Sequence, residues 1–247
     1  DVTIKNFTFK NADCYGNGGA IYFNSGGNVI NCNFTDNSAS YGGAIVFNEI
    51  GTVENCNFID NKATNDGGAV YFYGGGTLTN CNFTDNEATS GNGGTIFFNG
   101  FGTVENCNIV NNTAKYSGAI FMISGSIINC NLTDNKGDGA VFFEVEGTVK
   151  NCNFINNSAV YGTPAIWLYS GSVTNCNFIN NTATEGDCGA VFFSMKGTVT
   201  NCNFTDNKAT SGNGGAVYIS VAGSVINCNF VNNNAKYDGG AVYIYNN

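Results

Sequence analysis

The chain has 247 residues, of which 43% are hydrophobic and only 11% charged, and its formal net charge is −9. It has no His, and all nine basic residues are Lys, so the commonest general base and the fork-shaped anion binder are both missing. Such an acidic chain is a poor partner for nucleic acid or anionic membranes, and no apolar run approaches the roughly 18 residues of a membrane-spanning helix.

Taken in chain order, the residues fall into repeats. The first copy is divergent, with Phe7 standing where later copies have Cys. From there Asn-Cys-Asn recurs with its Cys at 32, 56, 81, 107, 130, 152, 176, 202 and 228, at intervals of 22 to 26 residues. Each copy reads approximately G-T-V-x-N-C-N-F-x-[D/N]-N-x-A-x-x-G-G-A-[V/I]-aromatic-apolar. Counting the divergent copy gives ten, the last ending at Gly239-Gly240-Ala241-Val242-Tyr243-Ile244.

Three short strands are expected in each copy, exemplified by Thr52-Val53-Glu54, Cys56-Asn57-Phe58 and Ala69-Val70-Tyr71-Phe72. They are rich in β-branched and aromatic residues and bounded by Gly and Asn turns. Three strands of this size cannot enclose a core alone. Stacked at about 4.8 Å per layer they form parallel sheets around a continuous interior. The expected fold is all-β: a right-handed parallel β-helix of about ten rungs, read as one domain over 1–247.

Side chains alternate across a strand. The Ile or Val after Gly-Ala and the apolar residue two positions later are therefore assigned to the interior. The Val of Gly-Thr-Val, the repeated Cys and the following Phe join them. The column between the first two points outward: Tyr22, Val46, Tyr71, Phe97, Phe121, Phe142, Trp167, Phe192, Tyr218 and Tyr243. Nine of its ten members are aromatic, and a stripe this long exceeds ordinary scatter of exposed apolar residues. It reads as a lateral docking surface for another β-helix or for flat sugar rings, or else as a face covered by a loop.

The Asn column from Asn37 to Asn233 reads as structural, with side-chain amides bonding along the axis and Asn tolerating left-handed turns. The nine repeated thiols read as small buried hydrophobes. Cys14 and Cys188, seven rungs apart, are too distant to bridge one another within a chain and read as free or intermolecular thiols. Asp36, Asp60 and Asp85 occupy equivalent solvated turn positions. Sequons begin at Asn33, Asn82, Asn111, Asn131, Asn156, Asn180 and Asn203 and offer glycosylation sites on a displayed surface. The rung around Tyr161-Gly162-Thr163-Pro164 breaks the pattern.

Gly-Gly-Ala-[Ile/Val] paired with Phe-x-x-Asn occurs as Gly43-Ala44-Ile45 with Phe34-Thr35-Asp36-Asn37, and as Gly68-Ala69-Val70 with Phe58-Ile59-Asp60-Asn61. This pairing is similar to the repeat signature of polymorphic outer-membrane proteins, and the Asn-Cys-Asn-Phe rungs resemble adhesin-like β-helix proteins of methanogenic archaea. The resemblance covers essentially the whole chain. It implies an extracellular or cell-surface structural or adhesive protein that contacts other cells or matrix glycans. No end cap is recognisable, which leaves a longer native chain or head-to-tail self-association into filaments. The rival reading is a polysaccharide-binding or lyase-like β-helix. No cofactor, metal site or catalytic residue is expected, because the acidic positions, Asp206 and Glu185 among them, follow the repeat rather than forming a separate cluster. A β-solenoid that binds ice would show a Thr array, and Thr52, Thr77, Thr103, Thr148 and Thr198 give one interrupted by Ser.

Overall fold

A computed structural model describes residues 2–246 and shows a solenoid of parallel strands. The second strand of each copy, Asn-Phe-x, builds a ten-stranded sheet from Thr8–Lys10 to Asn229–Val231, one strand per rung. The Gly-Thr-Val and Val-aromatic-Phe strands combine in one larger sheet. In the middle rungs they run into each other, as in Ile96–Glu105 and Val141–Lys150, with a register irregularity where the chain bends.

Each regular rung also holds a fourth strand that the alternation pattern does not reveal. In one rung the strands are Gly51–Glu54, Asn57–Ile59, Lys62–Ala63 and Val70–Phe72. Two residues are too few to show a period, so Lys62–Ala63 is visible only through its pairing with Ser38–Ala39 and Glu87–Ala88. This narrow sheet is interrupted once, where Lys136 forms only isolated bridges to Thr113 and Ser158. The narrow sheet is therefore irregular at the short loop Lys136–Gly139. The neighbouring Pro164 is buried, and its carbonyl takes the Ala140 N–H at 3.0 Å, where the regular rungs use the carbonyl of the following residue, as Ala119 N–H uses that of Ala140.

All the columns assigned to the interior are buried through the middle rungs. Rings stack rung upon rung: Phe34 on Phe58 at 4.8 Å and Phe154 on Phe178 at 5.0 Å, with planes within 9° of parallel. The Gly of Gly-Thr-Val is required by this packing. A Cβ at Gly147 or Gly197 would overlap the ring of Phe143 or Phe193, which lies over it.

The two polar columns inside the tube solve one backbone problem twice. Each rung turns at two left-handed residues, for example Asn55 (φ 53°) and Asp60 (φ 55°). The sequence reading placed left-handed tolerance in the Asn37 column, but the left-handed residue is the one before it. The turn leaves the next N–H facing inward, and a buried N–H needs an acceptor. After Asp60 the Asn61 N–H donates to Asn86 Oδ1 (3.0 Å), which also receives Asn61 Nδ2 (3.0 Å). After Asn55 the Cys56 N–H donates to Cys81 Sγ (3.5 Å), while the Cys56 thiol donates to the Glu54 carbonyl (3.2 Å). The thiols are thus hydrogen-bonding groups as well as apolar filling, which corrects their reading as hydrophobes alone. Asn37 to Asn207 lie buried in an unbroken amide ladder.

Candidate functional site

The outward aromatic column lies where strand alternation puts it, on the far side of the sheet from the core. Val46, Tyr71 and Phe97, with Tyr41, Tyr73 and Phe121 packed against them, form a second apolar cluster, separate from the interior. In-register pairing of the Val-aromatic-Phe strands stacks the rings directly: Tyr71–Phe97 at 4.8 Å, Phe97–Phe121 at 4.6 Å, Phe142–Trp167 at 4.2 Å. Trp167–Phe192 opens to 6.2 Å, and Phe192–Tyr218 and Tyr218–Tyr243 follow at 4.9 Å with tilted planes.

Exposure divides the column. Tyr22 is exposed, whereas Val46, Tyr71 and Phe97 are buried. Tyr41 meets Tyr71 edge-on at 5.6 Å, and Tyr73 packs against it at 4.5 Å, so side chains from a loop and from the bend that follows the strand Val70–Phe72 cover this stretch. For these three the docking reading is corrected, since a neighbouring loop already occupies the face. From Phe121 to Tyr243 the six rings are half-buried and form the accessible part. Carboxylates edge both parts. Burial, then Tyr73, Asp66 and Tyr41, push the Tyr71 hydroxyl above its usual range. Burial followed by Asp187 does the same at Tyr218.

All seven sequon asparagines are exposed. Asn82, Asn131 and Asn203 belong to a surface amide ladder, donating from Nδ2 to Asn57, Asn108 and Asn177 of the preceding rung. Asn111 and Asn180 sit on left-handed turns and donate to Asp85 and Asn156. Among the described residues, the Nδ2 groups of Asn33 and Asn156 have no protein acceptor. Asp36, Asp60 and Asp85 are exposed on their turns, and burial followed by the charges of Asp85 and Asp36 raises Asp60 above the ordinary carboxylate range.

Both unpaired-column thiols, Cys14 and Cys188, are free. Cys188 is fully buried, donates to the Val191 carbonyl at 3.1 Å, and burial pushes it up to about 12. It cannot reach a partner without unfolding, which removes it as an intermolecular thiol. Cys14 is half-buried. Exchange requires an accessible thiolate. We therefore expect a charged aromatic disulfide reagent to label Cys14 and the half-buried Cys228 of the last rung rapidly in native protein. The other nine should react only after denaturation. Rapid labelling of more than two thiols, read as released chromophore, would contradict the packing.

Among the described residues no helix is long and apolar enough to cross a membrane. The family model described as right handed beta helix region matches residues 64–201, and the Chlamydia polymorphic membrane protein repeat matches residues 201–220. No curated protein and no solved structure matches the chain. A parallel solenoid of stacked, near-identical rungs, more than half of it matched by one family, belongs to the right-handed β-helix family and carries repeats of the adhesin and polymorphic-membrane-protein kind.

Proposed function

We propose that this chain is a non-catalytic adhesive solenoid of the cell surface or extracellular space, a single β-helix domain over 1–247 that is either complete or a segment of a longer chain. Its contact face is the accessible aromatic column from Phe121 to Tyr243. The observation that carries the reading is the regularity of that column: six half-buried rings, one per rung, on a rigid sheet. Another β-helix repeats at the same spacing of about 4.8 Å, so lateral docking keeps every ring of one copy in phase with the rungs of the other. The polymorphic-membrane-protein repeat supports surface display. On such a surface Asn33 and Asn156 are the amides free to carry glycan without giving up a ladder bond.

Lateral association is measured by sedimentation over a concentration series and by electron microscopy of the same samples. Wild-type protein forms side-by-side pairs or bundles. Association strengthens as salt is raised, because the acidic edges of the face repel one another and salt screens them. The Phe142→Ser/Trp167→Ser/Phe192→Ser variant stays monomeric with an unchanged circular dichroism spectrum. Monomeric wild type at every concentration, or a variant that still bundles, would overturn the reading.

A further inference from the structure

The aromatic column carries a chemical pattern that goes beyond adhesion and does not depend on it. Along the column only one pair of neighbouring rings is tyrosine on tyrosine, Tyr218 and Tyr243. Val46 separates Tyr22 from Tyr71, and every other neighbouring pair includes a Phe or the Trp. The strands Val217–Ile219 and Val242–Ile244 pair in register, and the Ala216 and Val217 N–H groups donate to the Ala241 carbonyl at 2.9 and 3.0 Å. Both ring positions are therefore set by the backbone. The ring centroids lie 4.9 Å apart with planes tilted by 52°, which brings one ring edge closer to its neighbour than parallel stacking at that spacing would. Tyr245 stands beside Tyr243 at 6.4 Å.

The other tyrosines lack either a partner or access. Tyr15, Tyr116, Tyr161 and Tyr237 are exposed, and among the described residues none of them meets a second tyrosine ring. Tyr71 meets Tyr73 at 4.5 Å and Tyr41 at 5.6 Å, but Tyr71 is only 6% exposed and lies beneath the other two. Tyr218 and Tyr243 are both half-buried, so each presents part of its ring to an oxidant in solution. Burial and the charge of Asp187 hold the Tyr218 proton on its hydroxyl, so oxidation there removes a proton together with the electron. The Phe rings in the middle of the column have no hydroxyl and do not react in this way.

We infer that Tyr218 and Tyr243 form a modification site, at which one-electron oxidation joins the two rings as dityrosine and staples successive rungs together. The oxidant is of the peroxidase class, with hydrogen peroxide as the electron acceptor. Each phenol loses one electron and its hydroxyl proton and becomes a phenoxyl radical. The two radicals form a carbon–carbon bond between positions ortho to their oxygens. The hydrogen on each of those carbons then moves to the oxygen of its own ring and restores the phenol. The two electrons and two protons removed reduce one hydrogen peroxide to two waters. Holding both rings on paired strands makes the coupling intramolecular, which favours it over encounters between copies. A covalent staple adds to a solenoid what it otherwise takes from neighbouring rungs alone.

The test treats the whole chain with a peroxidase and hydrogen peroxide, after its accessible thiols have been capped as methyl disulfides so that they do not consume the radicals. Dityrosine fluorescence appears at a yield per chain that does not change as the protein is diluted. Mass spectrometry after trypsin finds the bridge joining the peptides 209–236 and 237–247. Tyr243→Phe removes that product, whereas Tyr237→Phe and Tyr245→Phe keep it. Hydrogen exchange in Val217–Ile219 and Val242–Ile244 is slower in the bridged chain than in the capped, unoxidised one. Each variant deletes one hydroxyl at the surface, and an unchanged circular dichroism spectrum certifies its folding. The inference falls if the yield rises with protein concentration, if the main product joins other tyrosines such as Tyr15 or the Tyr71–Tyr73 pair, if Tyr243→Phe leaves the product in place, or if the bridge leaves exchange unaltered.

Discussion

Asn157→Ala should lower the folding stability by about 3–4 kcal/mol, a large effect for one uncharged side chain. Asn157 Oδ1 accepts the Asn135 N–H at 3.0 Å and Asn135 Nδ2 at 3.1 Å. Its own Nδ2 donates to the Leu132 carbonyl at 2.9 Å and to Asn181 Oδ1 at 3.0 Å. Ala removes all four bonds in a site that water does not reach. Asn135 Nδ2 keeps a second acceptor at Ile109, but the Asn135 N–H is left with none. Each buried group without its partner costs about 1–3 kcal/mol, and relaxation recovers part of the sum.

Asn157→Asp tests the donors separately. The shape and the acceptor oxygen survive, both donations are lost, and burial raises the carboxyl pKa above its unfolded value. A raised folded-state pKa means that the native state binds the proton more tightly. The penalty is therefore largest above that pKa and shrinks as pH falls through it. Urea unfolding at neutral and acidic pH measures both variants. In a solenoid, rungs depend on their neighbours, so hydrogen exchange should quicken first in the rungs flanking residue 157. A loss below about 0.5 kcal/mol for Asn157→Ala, the ordinary range for surface changes, would show that the ladder is ornamental.

Phe178→Ala should cost about 3–5 kcal/mol, the usual range for emptying a buried ring site. The ring lies between Phe154 at 5.0 Å and Phe204 at 4.7 Å, with planes 9° and 5° from parallel. Neighbouring rungs prevent collapse, because their backbones are fixed by pairing above and below. Phe178→Leu should cost under about 1.5 kcal/mol, since hydrophobic swaps of similar volume are tolerated. The same column already holds Ile109 and Leu132, both fully buried. Denaturant midpoints at constant slope measure the pair, and equal losses for Ala and Leu would remove ring volume as the cause.

Much of this fold was legible because each copy repeats the same alternation. Ile45, Phe47, Val53, Cys56 and Phe58 could be placed inside from parity alone, and all are fully buried. The outward direction of Phe142 and Trp167, both half-buried and outside the interior cluster, followed from the same rule. The two-residue strand at Lys62–Ala63 was not legible, since it is too short to carry a period. The Thr column was half-legible: its Thr members were visible in sequence, but that Ser126, Ser172 and Ser224 stand in register with them depends on how the copies pair.

The sequence by itself determined the rung length and the parallel stacking, because the copies recur at a nearly constant interval, and the inward or outward sense of nearly every strand residue, because alternation depends on neighbours within one copy. Only the tertiary structure decided which N–H groups the Asn and Cys side chains receive, that Tyr41 and Tyr73 cover one end of the aromatic column, and that Cys188 is sealed while Cys14 is not. Those outcomes turn on contacts between copies some two dozen residues apart, where small differences in loop length choose what meets what.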